Sequence, residues 1–375
     1  MTSQSQTIER PPNSNGGPEK IETVIIGAGQ TGLSLGYHLA QQDRPFVILE
    51  AGERVGDVWR KRFDSLRLYS PARYDGLPGM AFPADQWHFP TKDEVGDYLE
   101  EYARRFELPV VTGTSVQSLS KDGDRYLIEC DGRRLAARNV VVASGGFTTP
   151  ITPDLAHELD PGITQLHSND YRNPSQLQDG PVLVVGAAHS GSDIALEVSR
   201  GHRTTLAGPV RGEVPFRIDG RPFRVIVRGL WFIANHVLTM RTPLGRKMRE
   251  LVRGEGGPLL RVKRADLDEA GVERTEEKVT GVEDGKPVLA DGSVVDVANV
   301  IWCTGFNKDI SWIQIPVAGE DGWPEQERGV VPSSPGLYFL GLPVQFAFAS
   351  MLVGGAGRDA KYVANHIGAA VRAAS

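Results

Sequence analysis

The sequence predicts an α/β protein built from two doubly wound units with parallel sheets. Two short apolar runs rich in β-branched residues, IETVII from Ile21 and VLVVG from Val182, each stop at a glycine-rich turn. A stretch with helical spacing follows each turn, as expected where a buried parallel strand leads into a helix. A chain of 375 residues is long enough for about two domains.

The first unit is complete within residues 21–50. Its turn, Gly27-Ala28-Gly29-Gln30-Thr31-Gly32, matches GxGxxG, and a helix is predicted from about Thr31. In this motif the first glycine makes a tight turn, the second admits a pyrophosphate and the third lets the helix pack on the strand. The next strand, Phe46–Leu49, ends in Glu50, which is positioned to bind ribose hydroxyls. The pattern predicts a Rossmann-like dinucleotide site that includes Gly27, Gly29, Gln30, Thr31, Gly32 and Glu50.

The segment that follows carries one helix signal and several strand signals. Thr91 and Glu94 have the spacing of a capping box, and apolar residues recur at helical spacing up to Phe106. Short apolar stretches separated by Gly and Asp turns predict a small inserted sheet over residues 110–142. Residues 140–143 are predicted to return to the core.

The second unit begins with an imperfect copy of the glycine turn. Gly186-Ala187-Ala188-His189-Ser190-Gly191 has alanine at the middle glycine position, which adds a methyl group where the backbone would meet a pyrophosphate. No acid follows the next strand, Thr204–Ala207, whereas arginines flank it. This favours a 2′-phosphate, and therefore NADPH over NADH. The predicted NADPH contacts are Gly186, Ala188, His189, Ser190, Gly191, Arg203 and Arg211.

Charge and composition limit the function classes. The net charge of −6 argues against a nucleic-acid-binding protein. Residues 211–264 nevertheless carry 13 Lys or Arg and four acidic residues, a local charge of +9. The apolar run from Gly229 to Met240 is shorter than the roughly 20 residues of a membrane span. Within it, Trp231 and Phe232 are predicted to be core or substrate-channel-wall residues rather than membrane anchors.

The remaining composition favours a cytoplasmic protein. Two widely spaced cysteines, Cys130 and Cys303, form no disulfide framework, zinc spacing or CxxC pair, so no metal site is predicted. Cys303 is expected to be a small core residue. The polar residues 1–20 show no secretory pattern and are predicted to be a disordered tail.

Longer motifs carry a family resemblance. The stretches VGDVWRKRFDSLRLYSPARYDGLPGMAFP from Val55, GITQLHSNDYRNP from Gly162 and IWCTGF from Ile301 resemble the flavin-containing, class B-like monooxygenase family, in particular the bacterial CzcO-type flavoproteins. The resemblance implies that the first turn binds FAD and the second NADPH. It implies an NADPH domain, residues 171–284, inserted in a discontinuous FAD domain of residues 21–170 and 285–375. Two late strands, Asn299–Trp302 and Leu337–Gly341, are then expected to rejoin the first sheet before a final helix.

The resemblance also implies a reaction and further site residues. NADPH would reduce FAD, and a C4a-(hydro)peroxyflavin would pass one oxygen atom to a nitrogen, sulfur or carbonyl centre of a small molecule. The family fingerprint F-x-G-x-x-x-H-x-x-x-[FY] retains His167 and Tyr171, which are the candidate catalytic residues, while Pro161 and Ile163 replace its Phe and Gly. The further cofactor contacts implied are Trp59, Arg60, Ser70, Val116, Gly145, Gly305 and Asp359.

Two other functions stay open at this point. The altered fingerprint and Ala188 are compatible with an NADPH-dependent flavin oxidase or reductase that releases peroxide. A non-catalytic flavin-binding regulatory protein is the second alternative. A homo-oligomer is possible in each case.

Overall fold

The computed structural model of the protein describes residues 17–146, 149–254 and 257–374. The strands of the first part are β1 (Glu19–Ile26), β2 (Phe46–Leu49), β3 (Val110–Val111), β4 (Val116–Asp122), β5 (Arg125–Cys130), β6 (Arg133–Val142), β7 (Thr149–Pro150) and β8 (Thr164–His167). Those of the second part are β9 (Val182–Val185), β10 (Thr204–Ala207), β11 (Glu273–Thr275), β12 (Val279–Glu283), β13 (Lys286–Leu289), β14 (Asn299–Trp302), β15 (Phe306–Asn307) and β16 (Leu337–Phe339). The α-helices are α1 (Gln30–Ala40), α2 (Asp57–Arg60), α3 (Lys92–Arg105), α4 (His189–Val198), α5 (Phe223–Phe232), α6 (Pro243–Gly254), α7 (Arg264–Glu269) and α8 (Ala356–Ala374).

The N-terminal boundary differs from the predicted one. Strand β1 begins at Glu19, and Glu19 and Lys20 pair with Leu135 and Ala136 of β6. The prediction that these two residues belong to a disordered tail is therefore wrong. Residues 1–16 of the predicted tail lie outside the described residues.

The first sheet has the order β3-β2-β1-β6-β5-β4, with β16 also paired to β6. Strands β1, β2, β3, β6 and β16 are parallel, and β4 and β5 form an antiparallel extension. The two halves of β6 have different neighbours, because residues 133–137 pair with β5 and residues 140–142 pair with β16. The segment 110–142 is thus a continuation of the first sheet rather than the separate small sheet that its turns suggested.

The second sheet is parallel throughout and has the order β11-β10-β9-β14-β8. The prediction that β14 returns to the first sheet is wrong, since β14 lies between β9 and β8. The same prediction for β16 is confirmed. The predicted divisions after residues 170 and 284 assign β8 and β14 to the first sheet, and the pairing assigns both to the second. A short apolar run identifies a buried strand but carries no information about its neighbour.

Helices cover the sheets and position their carboxyl edges. Helices α1 and α8 contribute Leu33, Leu35, Val363 and Ile367 to the core of the first unit. Helix α4 packs Ile194 and the neighbouring apolar residues on the second sheet. In an open parallel sheet, ligands bind in the crevice outside the carboxyl ends of the strands. The glycine turns follow β1 and β9 at that edge of each sheet.

Candidate functional site

The first glycine turn forms an open cradle at the start of α1. Gly27 has a φ of +107°, and a Cβ there would lie 2.7 Å from the carbonyl oxygen of Ala143. A Cβ on Gly32 would overlap the carbonyl oxygen of Gly27. Gly29 differs, because no atom lies within 4 Å of the position of its Cβ. The outer glycines are therefore required by packing, and the middle one keeps the space before α1 open.

Glu50 is held beside this cradle. Its Oε2 accepts a hydrogen bond from Ala28 N at 2.7 Å, and its Oε1 accepts one from Gly52 N at 2.9 Å. The N-cap of α1, Gly29, makes no side-chain cap hydrogen bond, so the first N–H groups of the helix are left for another acceptor. An open cradle, an uncapped helix start and a fixed carboxylate are the features that a dinucleotide diphosphate and its ribose require. The residues present fit FAD.

The other predicted cofactor contacts of the first unit do not all lie at its glycine turn. Gly145 follows β6 at the same edge, with a φ of +83° and open space at its Cβ position. Ser70 donates a hydrogen bond from Oγ to Asp75 Oδ1 at 2.6 Å. Asp359 is 2% exposed in the first turn of α8, and burial raises the pKa of its carboxyl. Trp59 packs on the core as a half-buried residue, and Val116 begins β4.

Arg60 is occupied by protein partners. Its Nη1 donates to the carbonyl oxygen of Val55 at 2.8 Å and to Asp57. Its Nε and Nη2 donate to Asp97, and Nη2 also donates to Glu100 at 2.8 Å. These acceptors use the donors of the guanidinium. Arg60 therefore joins α2 to α3, and its prediction as a cofactor contact is not supported by this geometry.

The second turn repeats the first with one methyl group added. Gly186 has a φ of +106°, and a Cβ on Gly191 would overlap the carbonyl oxygen of Gly186. Ala188 caps α4 with φ −84° and ψ −164°, and Gly29 caps α1 with φ −76° and ψ −176°. The two residues thus occupy equivalent positions. The Ala188 methyl group lies where the first turn has empty space.

The first turn of α4 and the loop that covers it contain two further predicted contacts. Ser190 is half-buried in this turn. The Nε2 atom of His189 lies 2.7 Å from the carbonyl oxygen of Pro258. Residues 257–262 therefore lie against the start of α4.

A cleft opens at the carboxyl edge of β9, β10 and β11. Its lining consists of Ala187, Leu206, Gly208, Val210, Arg274, Thr275 and Glu276. Arg211 follows β10 on this side and is exposed. Arg203 precedes β10, at the opposite edge of the sheet, where it binds Glu273 at 2.8 Å. Its prediction as a contact of the 2′-phosphate is wrong, because it lies one strand length away from the cleft. Arg274 of β11 also lies in the lining, where its Nε and Nη2 donate to Asp268 at 2.9 and 2.7 Å.

The two candidate catalytic residues are bound to the second unit. His167 Nδ1 accepts a hydrogen bond from Asn169 N at 3.0 Å, which leaves Nε2 to donate to the carbonyl oxygen of Gly305 at 3.1 Å. Burial lowers the pKa of this ring. Tyr171 is fully buried, and its hydroxyl donates to Glu197 at 2.9 Å. Burial raises the pKa of the Tyr171 hydroxyl. Both residues have the contacts of positioning groups.

A polar cluster around the buried Asp193 joins the two units and was not singled out from the sequence. The hydroxyl of Tyr69, in a loop of the first unit, donates to Asp193 Oδ2 of α4 at 2.9 Å. The guanidinium of Arg261 lies 4.9 Å from the centre of the Tyr69 ring and 3.7 Å from Asp193. Burial raises the pKa of both Tyr69 and Asp193. Burial is not visible in a loop sequence, which is why the cluster was missed.

Comparisons with known proteins agree with this arrangement. A family model described as pyridine nucleotide-disulphide oxidoreductase matches residues 24–212. A CzcO-like oxidoreductase of Geobacillus kaustophilus is 38% identical, covering 92% of this chain and 98% of its own length. A flavin-containing monooxygenase from Stenotrophomonas maltophilia has a TM-score of 0.74 at 27% identity, covering 94% of this chain and 99% of that one. The chain belongs to the flavin-containing monooxygenase family. The protein is an FAD- and NADPH-dependent oxidoreductase, and the predicted fold class is confirmed.

A plant enzyme is a more distant relative, and both cysteines of this chain are free thiols. A probable indole-3-pyruvate monooxygenase of Arabidopsis thaliana is 29% identical to this chain, covering 92% of this chain and 86% of its own length. Cys130 and Cys303 are free thiols in different units. Burial raises the pKa of the Cys303 thiol to about 12, although this residue is half-buried beside the core of the second unit rather than inside it as predicted.

Proposed function

We propose that the protein is a monooxygenase that transfers one atom of oxygen to a nitrogen, sulfur or carbonyl centre of a small molecule. The observation that supports this most directly is the pair of equivalent glycine turns, one before α1 and one before α4. The cluster of Tyr69, Asp193 and Arg261 connects the two units that carry these turns. Two glycine turns on connected units suit two dinucleotides whose reactive rings must come into contact.

Each turn has a defined role in this proposal. Gly27, Gly29 and Gly32 bind the FAD diphosphate, and Glu50 binds its ribose. Gly186, Ser190 and Gly191 bind NADPH, with Arg211 near its 2′-phosphate. Bound FAD supplies the redox chemistry by accepting a hydride and then reacting with oxygen. The chain orients the two cofactors and excludes water from their junction.

A flavin oxidase or reductase is the second candidate, and Ala188 is the observation that favours it. The methyl group reduces the room for a pyrophosphate at the second turn, so a weakly held NADP⁺ would leave the reduced flavin open to solvent. Oxygen would then be released as peroxide. For either enzyme we propose a reducing cytoplasm, because both cysteines are free.

Rapid-mixing spectroscopy tests the proposal. The FAD-loaded protein is reduced with NADPH without oxygen and then mixed with oxygenated buffer. A monooxygenase gives a transient absorbing species distinct from oxidised and reduced flavin, and its decay speeds up with a substrate. Direct return to oxidised flavin with one peroxide per NADPH, unchanged across nitrogen, sulfur and ketone substrates, supports the oxidase. Absence of reduction by NADPH contradicts both enzymes and favours the regulatory alternative.

A further inference from the structure

The helical segment between β10 and β11 exposes an unusual apolar surface. Among the described residues, eight of the ten exposed large apolar side chains lie between Val225 and Leu251. They are Val225, Ile226, Leu230, Phe232, Ile233, Val237, Leu244 and Leu251. Val225 is 76% exposed and Phe232 61% exposed. Phe232 is therefore not the core residue that the sequence predicted, and a concentration of this kind marks an interaction surface.

Six of these side chains lie on α5 and the π-helical turn that follows it, whose inner side is well packed, and Leu244 and Leu251 lie on α6. Phe223, Val227 and Ala234 are buried, and Trp231 stacks near Tyr74 at 4.8 Å. The helix continues as a π-helical turn, Ile233–Val237, and the backbone of Met240 beyond it donates to Phe346. The exposed apolar residues therefore belong to an anchored element, and their exposure does not result from a loosely held loop.

Positive charge surrounds the apolar residues. Residues 221–251 expose six cations, and Glu250 is the single acidic residue among them. The six cations are Arg221, Arg224, Arg228, Arg241, Arg246 and Lys247. The chain outside residues 211–264 has a formal charge of −15, so the cationic face is local. Apolar side chains flanked by Arg and Lys on an amphipathic helix are typical of elements that lie in the headgroup region of a bilayer.

We propose that the basic apolar face, residues 221–251, binds the surface of an anionic lipid bilayer. No helix among the described residues is both long and apolar enough to cross a bilayer, so the face lies on the membrane. Arginine and lysine stems reach the headgroups while Phe232 and its neighbours enter the acyl boundary. A second copy of the chain is a poorer occupant, because a twofold contact would bring the two cationic faces together.

Vesicle flotation with the FAD-loaded full chain tests this proposal. We expect binding to phosphatidylcholine vesicles that contain phosphatidylglycerol, weaker binding to phosphatidylcholine alone, and loss of binding as salt is raised. The pair F232S and I233S should weaken binding by about tenfold or more, because it removes two of the inserted side chains. The matched control is V58S and V294S, which changes exposed valines outside the face, 52% and 46% exposed, and should bind as wild type.

A second pair keeps the test independent of the apolar substitutions. Arg228→Gln with Lys247→Gln leaves the apolar side chains intact and should weaken binding to anionic vesicles alone. The flavin absorption spectrum and unfolding midpoint of each variant report whether it is folded. The proposal is overturned if wild type does not bind anionic vesicles, or if the control pair loses as much binding as the face pair. The proposal is also overturned if F232S with I233S leaves vesicle binding unchanged and instead converts a dimer to a monomer.

Discussion

At the residue scale, the middle position of the two glycine turns distinguishes the two cofactor sites. Gly29 and Ala188 have nearly the same backbone conformation, so the alanine is not excluded by strain. What differs is the room for a ligand, since the Gly29 Cβ position is empty to 4 Å. A methyl group at this point displaces the phosphate that the backbone would otherwise approach.

Exchanging the two middle residues separates their effects. We expect Ala188→Gly to tighten NADP⁺ binding about tenfold, which corresponds to about 1.4 kcal/mol. The matched change Gly29→Ala should weaken FAD retention by a similar factor and leave NADP⁺ binding unaltered. Calorimetric titration with NADP⁺ and the flavin content after dialysis measure the two effects. An unchanged NADP⁺ affinity in Ala188→Gly would contradict the role given to the second turn.

A second residue-scale feature is the buried carboxyl of Asp75. This residue is fully buried, and burial raises its pKa from 3.8 to about 7, against the hydrogen bond from Ser70. The unfolded chain loses this proton at lower pH than the folded protein does. The folded state therefore binds more protons between the two pKa values, and stability falls as the pH rises through this interval.

The variant Asp75→Asn should remove this pH dependence. Asparagine keeps an oxygen acceptor for Ser70 but cannot ionise. Between about pH 5 and pH 8 we expect the free energy of unfolding of wild type to fall by about 3 kcal/mol relative to that of the variant. Urea unfolding of the FAD-loaded proteins at the two pH values measures this difference. Parallel pH profiles for the two proteins would show that Asp75 titrates normally.

At the element scale, local signals define how each helix begins. The predicted capping box of α3 is present, with Glu94 N donating to Thr91 Oγ1 at 3.2 Å and Thr91 N donating to Glu94 Oε2 at 2.7 Å. Helices α1 and α4 begin instead at Gly29 and Ala188, without a side-chain cap. Helix α3 thus satisfies its own first turn, whereas the two proposed cofactor helices leave theirs open.

Removal of the α3 cap should destabilise the protein measurably. Thr91→Ala eliminates the acceptor for Glu94 N, and we expect a loss of about 1 kcal/mol in the free energy of unfolding. The exposed Thr112 provides the control, since Thr112→Ala removes no cap and should stay within about 0.5 kcal/mol of wild type. Denaturant unfolding measures the free energy of unfolding of both variants. Equal stabilities would mean that Glu94 alone holds the turn.

At the scale of the whole molecule, the two units are joined to each other and the charge is unevenly distributed. The joint between the units is a polar cluster around the buried Asp193, and the basic apolar face packs through Tyr74 and Phe346 on segments of the first unit. The remaining chain is acidic, so the molecule has a strong charge asymmetry. An anionic surface would orient such a molecule with this face inward.

The sequence alone determined the features that depend on short stretches of chain. The turn from Gly27 to Gly32, the carboxylate of Glu50, the α3 capping box and the buried strands were all predicted from patterns spanning at most about thirty residues. Glycine spacing, caps and hydrophobic periodicity depend on residues close together in the chain, so they can be recognised in the amino-acid sequence.

Only the tertiary structure decided which elements meet and which side chains are buried. It assigned β14 to the second sheet, placed Arg203 at the edge away from the cleft, and exposed Phe232. It also buried Asp75 and joined Tyr69 to Asp193. Strand pairing and burial arise from contacts between segments distant in the chain, and an apolar run has the same pattern whether it faces the core, another sheet or solvent.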